Sequence, residues 1–122
     1  MKKAVFVGEE PSATAIRMGV KWEDGRLAAK QLFDAFEANN FDPADVAFVN
    51  LFHQNQTIDK VVKCLKKSTI PVVAMGNKVQ KSLRQHGVNH VEMVHPAARG
   101  SIRKKERYTA HVASVLQELG IA

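Results

Sequence analysis

A chain of 122 residues, 45% hydrophobic and 25% charged, has the size and composition of one globular domain spanning residues 1–122, with little room for a second domain or long lids. Its formal charge of +6 favours partners that carry phosphate, since Lys and Arg release counterions from a nucleic-acid backbone. The single cysteine, Cys64, excludes an intrachain disulfide and any zinc or iron–sulfur site held by several thiolates of one chain, and no stretch approaches the roughly 18 apolar residues of a membrane span.

The first apolar run, residues 4–7, reads as a buried strand. It follows Met1-Lys2-Lys3 directly and is too short for a signal peptide, so a cytoplasmic protein with no membrane partner is expected. A long connection, 8–24, carries Gly8-Glu9-Glu10-Pro11-Ser12 and the only tryptophan, Trp22. The spacing of Leu27, Ala28, Leu32, Phe33 and Phe36 predicts a helix over 25–39. A second strand, 46–50, ends in Asn50. The helix expected over 57–67 turns Ile58, Val61, Val62 and Leu65 inward and Lys60, Lys63, Lys66 and Lys67 outward, with Cys64 as a small packing residue. A third strand, 71–75, leads to a helix over 77–86, with Asn77 as its cap after Gly76 and Gly87 as its stop. The fourth strand, 91–94, runs into a second long connection, 95–101. A last helix, about 102–119, aligns Tyr108, Val112, Val115, Leu116 and Leu119 and ends at Gly120.

This alternation of strand and helix implies an α/β fold, with four parallel strands joined by right-handed crossovers and helices on both faces. The first three strands are nearly continuous in apolar residues, the pattern of strands covered on both faces. Ligands of open α/β sheets bind outside the carboxyl ends of the strands. Polar residues follow all four apolar runs there: Glu9 and Glu10, Asn50, Asn77, and His95.

Either glutamate is suited to position water or stabilise positive charge in a transition state; equally, both are suited to be solvated acids near a helix N-terminus. The amide of Asn50 is able to read a nucleobase edge or to close a turn. Pro96 restricts His95 to extended backbone, which holds its imidazole at a strand end, where it is able to stabilise an anionic leaving group. Trp22 either stacks on a base or plugs the core under its loop. Arg99, Arg103, Lys104, Lys105 and Arg107 crowd the connection after His95 and the start of the last helix. Positive charge there opposes the helix dipole, which favours a phosphate partner over a merely solvated face.

Taken in order, these segments resemble the uracil-DNA glycosylase superfamily along nearly the whole chain. Val5-Phe6-Val7-Gly8-Glu9-Glu10-Pro11-Ser12 is similar to the motif written GEAPG in one branch and GQDPYH in another. Trp22-Glu23-Asp24-Gly25-Arg26-Leu27-Ala28 with Leu32 and Phe33 resembles PFVGRAG-x-LL. Val46-Ala47-Phe48-Val49-Asn50 looks like the strand that ends in the base-reading Asn. Pro71-Val72-Val73-Ala74-Met75-Gly76-Asn77 resembles the strand and LGN turn, and Val94-His95-Pro96-Ala97-Ala98-Arg99 the HPS motif with its DNA-contacting loop.

The resemblance implies a three-layer α/β/α sandwich around a four-stranded parallel sheet, and hydrolysis of the N-glycosidic bond of uracil, or a related deaminated base, in single- or double-stranded DNA after the base leaves the stack. It implies that Glu9 or Glu10 guides water and stabilises an oxocarbenium-like sugar. Trp22 would stack on uracil, Asn50 bind its edge, and His95 stabilise the departing anion. Arg99, Arg103, Lys104 and Lys105 would hold the backbone. Ser12 departs from Gly or Tyr, Ala97 replaces the Ser of HPS, and the iron–sulfur cysteines are absent, so no cofactor or metal is implied. A monomer is expected. The departures leave a second reading, a noncatalytic nucleobase- or nucleic-acid-binding protein on the same scaffold. A small nucleotide-binding regulator of flavodoxin-like type fits less well, because no Walker sequence or GxGxxG follows the first strand.

Overall fold

Valine, alanine and phenylalanine dominate the apolar runs, and these runs pair side by side. The computed structural model of the protein describes residues 2–9, 17–19, 28–52, 58–96 and 104–121. Strands β1 (Ala4–Gly8), β2 (Val46–Asn50), β3 (Val72–Met75) and β4 (Val91–Met93) form one parallel sheet in the order β2-β1-β3-β4. Helices α1 (Ala28–Ala38), α2 (Asp59–Lys66), α3 (Asn77–Gln85) and α4 (Lys105–Leu119) complete the alternation among the described residues.

Successive strand residues point to opposite faces, and the core divides accordingly. Phe6, Val73, Met75 and Met93 pack with Leu32 and Phe36 of α1 and Tyr108, Val112 and Leu116 of α4. Val7, Val72 and Ala74 pack with Val62 and Leu65 of α2 and Val79 and Leu83 of α3. The helices therefore cover the sheet in pairs, one pair per face. The α1/α4 side is the aromatic one: Phe6 meets Phe36 edge-on at 5.6 Å, and Phe36 lies 5.2 Å from Phe41. Each fully buried side chain of this size contributes about 1.5–3 kcal/mol.

Position in the sheet decides how far each strand is covered. The central β3 is buried at every residue, whereas in β2 only Val46 is buried. The continuous apolar run of β2 suggests cover on both faces, but β2 is an edge strand, and among the described residues one flank has no neighbouring strand. β4, the other edge, exposes Glu92 and ends one residue before the expected Val94. Two local expectations are corrected. Asn77 is the first helical residue of α3, and Gly76 occupies the N-cap at φ 95° and ψ 160°. Cys64 is exposed instead of packed, because Val62 and Leu65 supply the inward stripe of α2. Gly120 ends α4 in the left-handed conformation, as its place after the last apolar residue suggests. Among the described residues no helix is long and apolar enough to cross a membrane.

Candidate functional site

Parallel pairing brings the polar strand ends to one edge. Gly8 is the register partner of Asn50, Val7 of Ala74, and Met75 of Met93. Glu9 and Gly76 follow the ends of β1 and β3 directly, His95 follows the end of β4 after Val94, and Asn50 ends the fourth strand. Backbone bonds continue the β1–β2 ladder past the strands: Leu51 donates to the Gly8 carbonyl and Phe52 to the Glu9 carbonyl, both at 2.8 Å. Glu9 is half-buried, and its carboxylate meets the Lys78 ammonium at 3.3 Å. The same ammonium lies 4.6 Å above the Phe52 ring centre, so Lys78 ties the loop after β1 to the loop after β2.

The backbone that leads to His95 is held from three sides. Gly76 passes so close that a Cβ there would sit 3.3 Å from the His95 Cβ. Its backbone also lies in a region open to glycine alone (φ 95°, ψ 160°). Buried Gln80 of α3 donates its side-chain amide to the Met93 carbonyl at 3.0 Å and to the Ala74 carbonyl at 3.4 Å, joining the ends of β3 and β4. The Met93 carbonyl faces β3, where it also accepts from the Gly76 amide at 2.9 Å. Peptide orientation alternates along a strand, so the next peptide groups, those of Val94, face outward from the sheet edge. Two side chains of α4 take them. The Val94 N–H donates to His111 Nε2 at 3.0 Å, and the Tyr108 hydroxyl donates to the Val94 carbonyl at 3.1 Å. The residue preceding His95 is thus clamped by a pair at i and i+3 on one helix.

Burial holds the His95 imidazole below its ordinary value, partly opposed by the nearby Glu9 charge, so the ring is neutral at neutral pH. Burial lowers His111 in the same sense, in keeping with an Nε2 that accepts a hydrogen bond. It raises the Tyr108 hydroxyl, which stays protonated as a donor. A cleft of about 450 Å³ opens beside His95, with Asn77, Gln80, Glu92 and His111 in its lining. A neutral imidazole on such a wall offers a hydrogen bond to a developing anion without carrying a fixed charge.

Of the expected site residues, Glu9, Asn50 and His95 all fall on this carboxyl edge, Asn50 on the β2 flank and His95 beyond β4 on the other, with Glu9 close enough to His95 for its charge to act on the ring. Lys104 and Lys105 are exposed at the start of α4, which leaves from the same edge; Lys104 is its N-cap and makes no side-chain capping bond. Lys105 also borders a second cleft of about 320 Å³ between α1 and α4. Glu10, Trp22, Arg99 and Arg103 lie outside the described residues. Among the described residues no group of three His, Cys, Asp or Glu side chains is placed to hold a metal ion.

Sequence reasoning missed Gln80, Tyr108 and His111 as supports of the site. Gln80 had a signal, a polar residue beside Val79 and Leu83 on the inward stripe. Tyr108 and His111 had only their helical spacing, and their common partner, one peptide of another element, is a tertiary contact. No family model matches this sequence, and no curated protein matches it.

Proposed function

We propose that the protein is a DNA glycosylase that hydrolyses the N-glycosidic bond of uracil or a related deaminated base, on a three-layer α/β/α scaffold of the uracil-DNA glycosylase type. The observation that supports this reading is the placement of an acid, an amide and a neutral imidazole, Glu9, Asn50 and His95, along the carboxyl edge of one parallel sheet, with the Glu9 charge acting on His95. The three suit a bond that breaks heterolytically. As the base leaves with the bonding electrons, its oxygen becomes anionic and accepts a hydrogen bond from His95. The sugar becomes cationic, and Glu9 or Glu10 stabilises it while guiding water to the anomeric carbon. Asn50 reads the base edge, Trp22 stacks on the base, and Arg99, Arg103, Lys104 and Lys105 hold phosphates.

The test is to incubate the protein with single- and double-stranded DNA containing uracil, hypoxanthine or mismatches, then cleave abasic sites with alkali. Strand breaks at uracil are expected; none on any substrate would end the enzyme reading. The noncatalytic nucleobase- or nucleic-acid-binding reading has one observation in its favour, the Lys78 contact that already occupies the Glu9 carboxylate. Tight, salt-sensitive DNA binding without base release would establish that reading.

A further inference from the structure

Among the described helices, the excess of positive charge sits on one side of the sheet. α2 presents Lys60, Lys63 and Lys66, with Lys67 at its C-cap, against one acid, Asp59. α3 adds Lys78, Lys81 and Arg84 and no acid. All seven basic side chains are exposed. The opposite layer is balanced: α1 carries Lys30 against Asp34 and Glu37, and α4 carries Lys105 and Arg107, with Lys104 at its N-cap, against Glu106 and Glu118. The α2/α3 layer alone therefore matches the chain's entire net charge of +6.

The layout is directional. Both helices start at the carboxyl edge of the sheet and run back along it. Lys60, Lys63 and Lys67 fall on one stripe of α2, about 10 Å long at the helical rise, and Lys78 to Arg84 cover about 9 Å of α3. Like charges at such spacing destabilise a helix, a cost that a polyanion lying on the face removes. Among the described residues, Lys78 alone of the seven has an acidic partner, and that partner is Glu9 of the candidate site. The basic face thus begins where the site is.

The face suits a nucleic-acid backbone better than a lipid surface. A helix that lies in a membrane interface turns an apolar stripe outward. Here Val62, Leu65, Val79 and Leu83 turn into the core, and the one large hydrophobic exposed among the described residues, Met18, belongs to neither helix. We propose that the α2/α3 layer is a track for the phosphate backbone of DNA, along which a strand runs away from the carboxyl edge. The choice of DNA, and of the site as the start of the track, rests on the glycosylase reading; the binding of a polyanion does not.

Cys64, the chain's only cysteine, is exposed within this face and serves as the reporter. A short uracil-free oligonucleotide, single-stranded or duplex, is added at low salt, and the rate of Cys64 alkylation by N-ethylmaleimide is measured. Slowing of at least about fivefold, reversed by added salt, is expected for contacts of this kind. In parallel, affinity for the duplex is followed by fluorescence anisotropy across a salt series. Lys60→Glu, Lys63→Glu and Lys67→Glu together should flatten the dependence of log affinity on log salt by about 2–3. A triple reversal at Lys2, Lys3 and Lys30 changes the total charge equally and should leave the slope within about 1 of the original. If the first triple fails to fold, the Lys→Gln triple at the same positions reads the same loss of slope. Equal losses in both triples, an unshielded Cys64, or equal shielding by anionic lipid vesicles would overturn the inference. Because the probe DNA holds no uracil, the two ideas fail separately: shielding without base release sinks only the glycosylase reading, and base release without shielding sinks only the track.

Discussion

The two halves of the sheet's carboxyl edge are built differently. On the β1/β2 side, backbone bonds from Leu51 and Phe52 carry Glu9 forward as an extension of the ladder, and the side-chain tie is the exposed Lys78. On the β3/β4 side, side chains from α3 and α4 do the holding: Gln80 joins two strand ends, and Tyr108 and His111 grip the peptide before His95. A ladder is indifferent to side-chain identity, whereas a side-chain clamp is lost with one substitution. The position of His95 is therefore the more fragile of the two, and the more open to tuning.

The sharpest way to break this asymmetry is Gly76→Ala. It places a Cβ 3.3 Å from that of His95, on a backbone that L-residues avoid at a cost of about 1–3 kcal/mol. On the proposed glycosylase reading, base release should fall at least about a hundredfold, the order of loss seen when an electrostatic group at a reacting centre is misplaced. A rate close to that of the parent would show that His95 is not held by this contact.

His111→Leu strands the Val94 N–H and should lower stability by about 1–3 kcal/mol in chemical denaturation. Amide exchange at Val94 should quicken more than exchange at Leu51, which belongs to the other half. His111→Gln, which offers an acceptor again, should recover most of both effects. Tyr108→Phe removes one bond to the Val94 carbonyl and should cost about 1 kcal/mol. A larger loss at Leu51 than at Val94 in either variant would reverse the comparison.

Acid should act on the same half. Burial depresses both His95 and His111, so below the ordinary histidine value of about 6.5 the unfolded chain binds more protons than the folded one. Their contribution to stability is intact above that pH and is lost as pH falls toward the depressed folded-state values. The melting temperature should drop from pH 7 to pH 5, and less steeply in His111→Gln; identical slopes would remove His111 from the account. The smallest effect belongs to the other half. Lys78→Met breaks a solvent-screened pair and should change stability by no more than about 1 kcal/mol, read by denaturant titration.

Much of the architecture was legible because apolar runs and helical spacing are local signals. All four strands and the four described helices lie where those signals put them, and Gly120 ends α4 at the expected residue. The strand-end residues Glu9, Asn50 and His95 were legible as a group, since parallel pairing sends every strand's carboxyl end to one edge. What the sequence hid was set by neighbours. The edge position of β2 depends on the order of strands, which no run of residues records. The exposure of Cys64 depends on which stripe of α2 the sheet accepts. The clamp on Val94 joins residues 14 and 17 positions apart across two elements, and neither Tyr108 nor His111 announces its partner.

The grip of α4 on Val94 also bears on how the molecule meets copies of itself. β4 is an edge strand, and outward peptide groups on such an edge are a template on which another chain can add a strand. At Val94 both groups are already taken, and the exposed Glu92 places a charge on the strand just before it. Tyr108 and His111 act as a surrogate neighbour that closes this rung to intermolecular pairing. Protonation of His111 at Nε2 would remove the acceptor and reopen the N–H half of this rung.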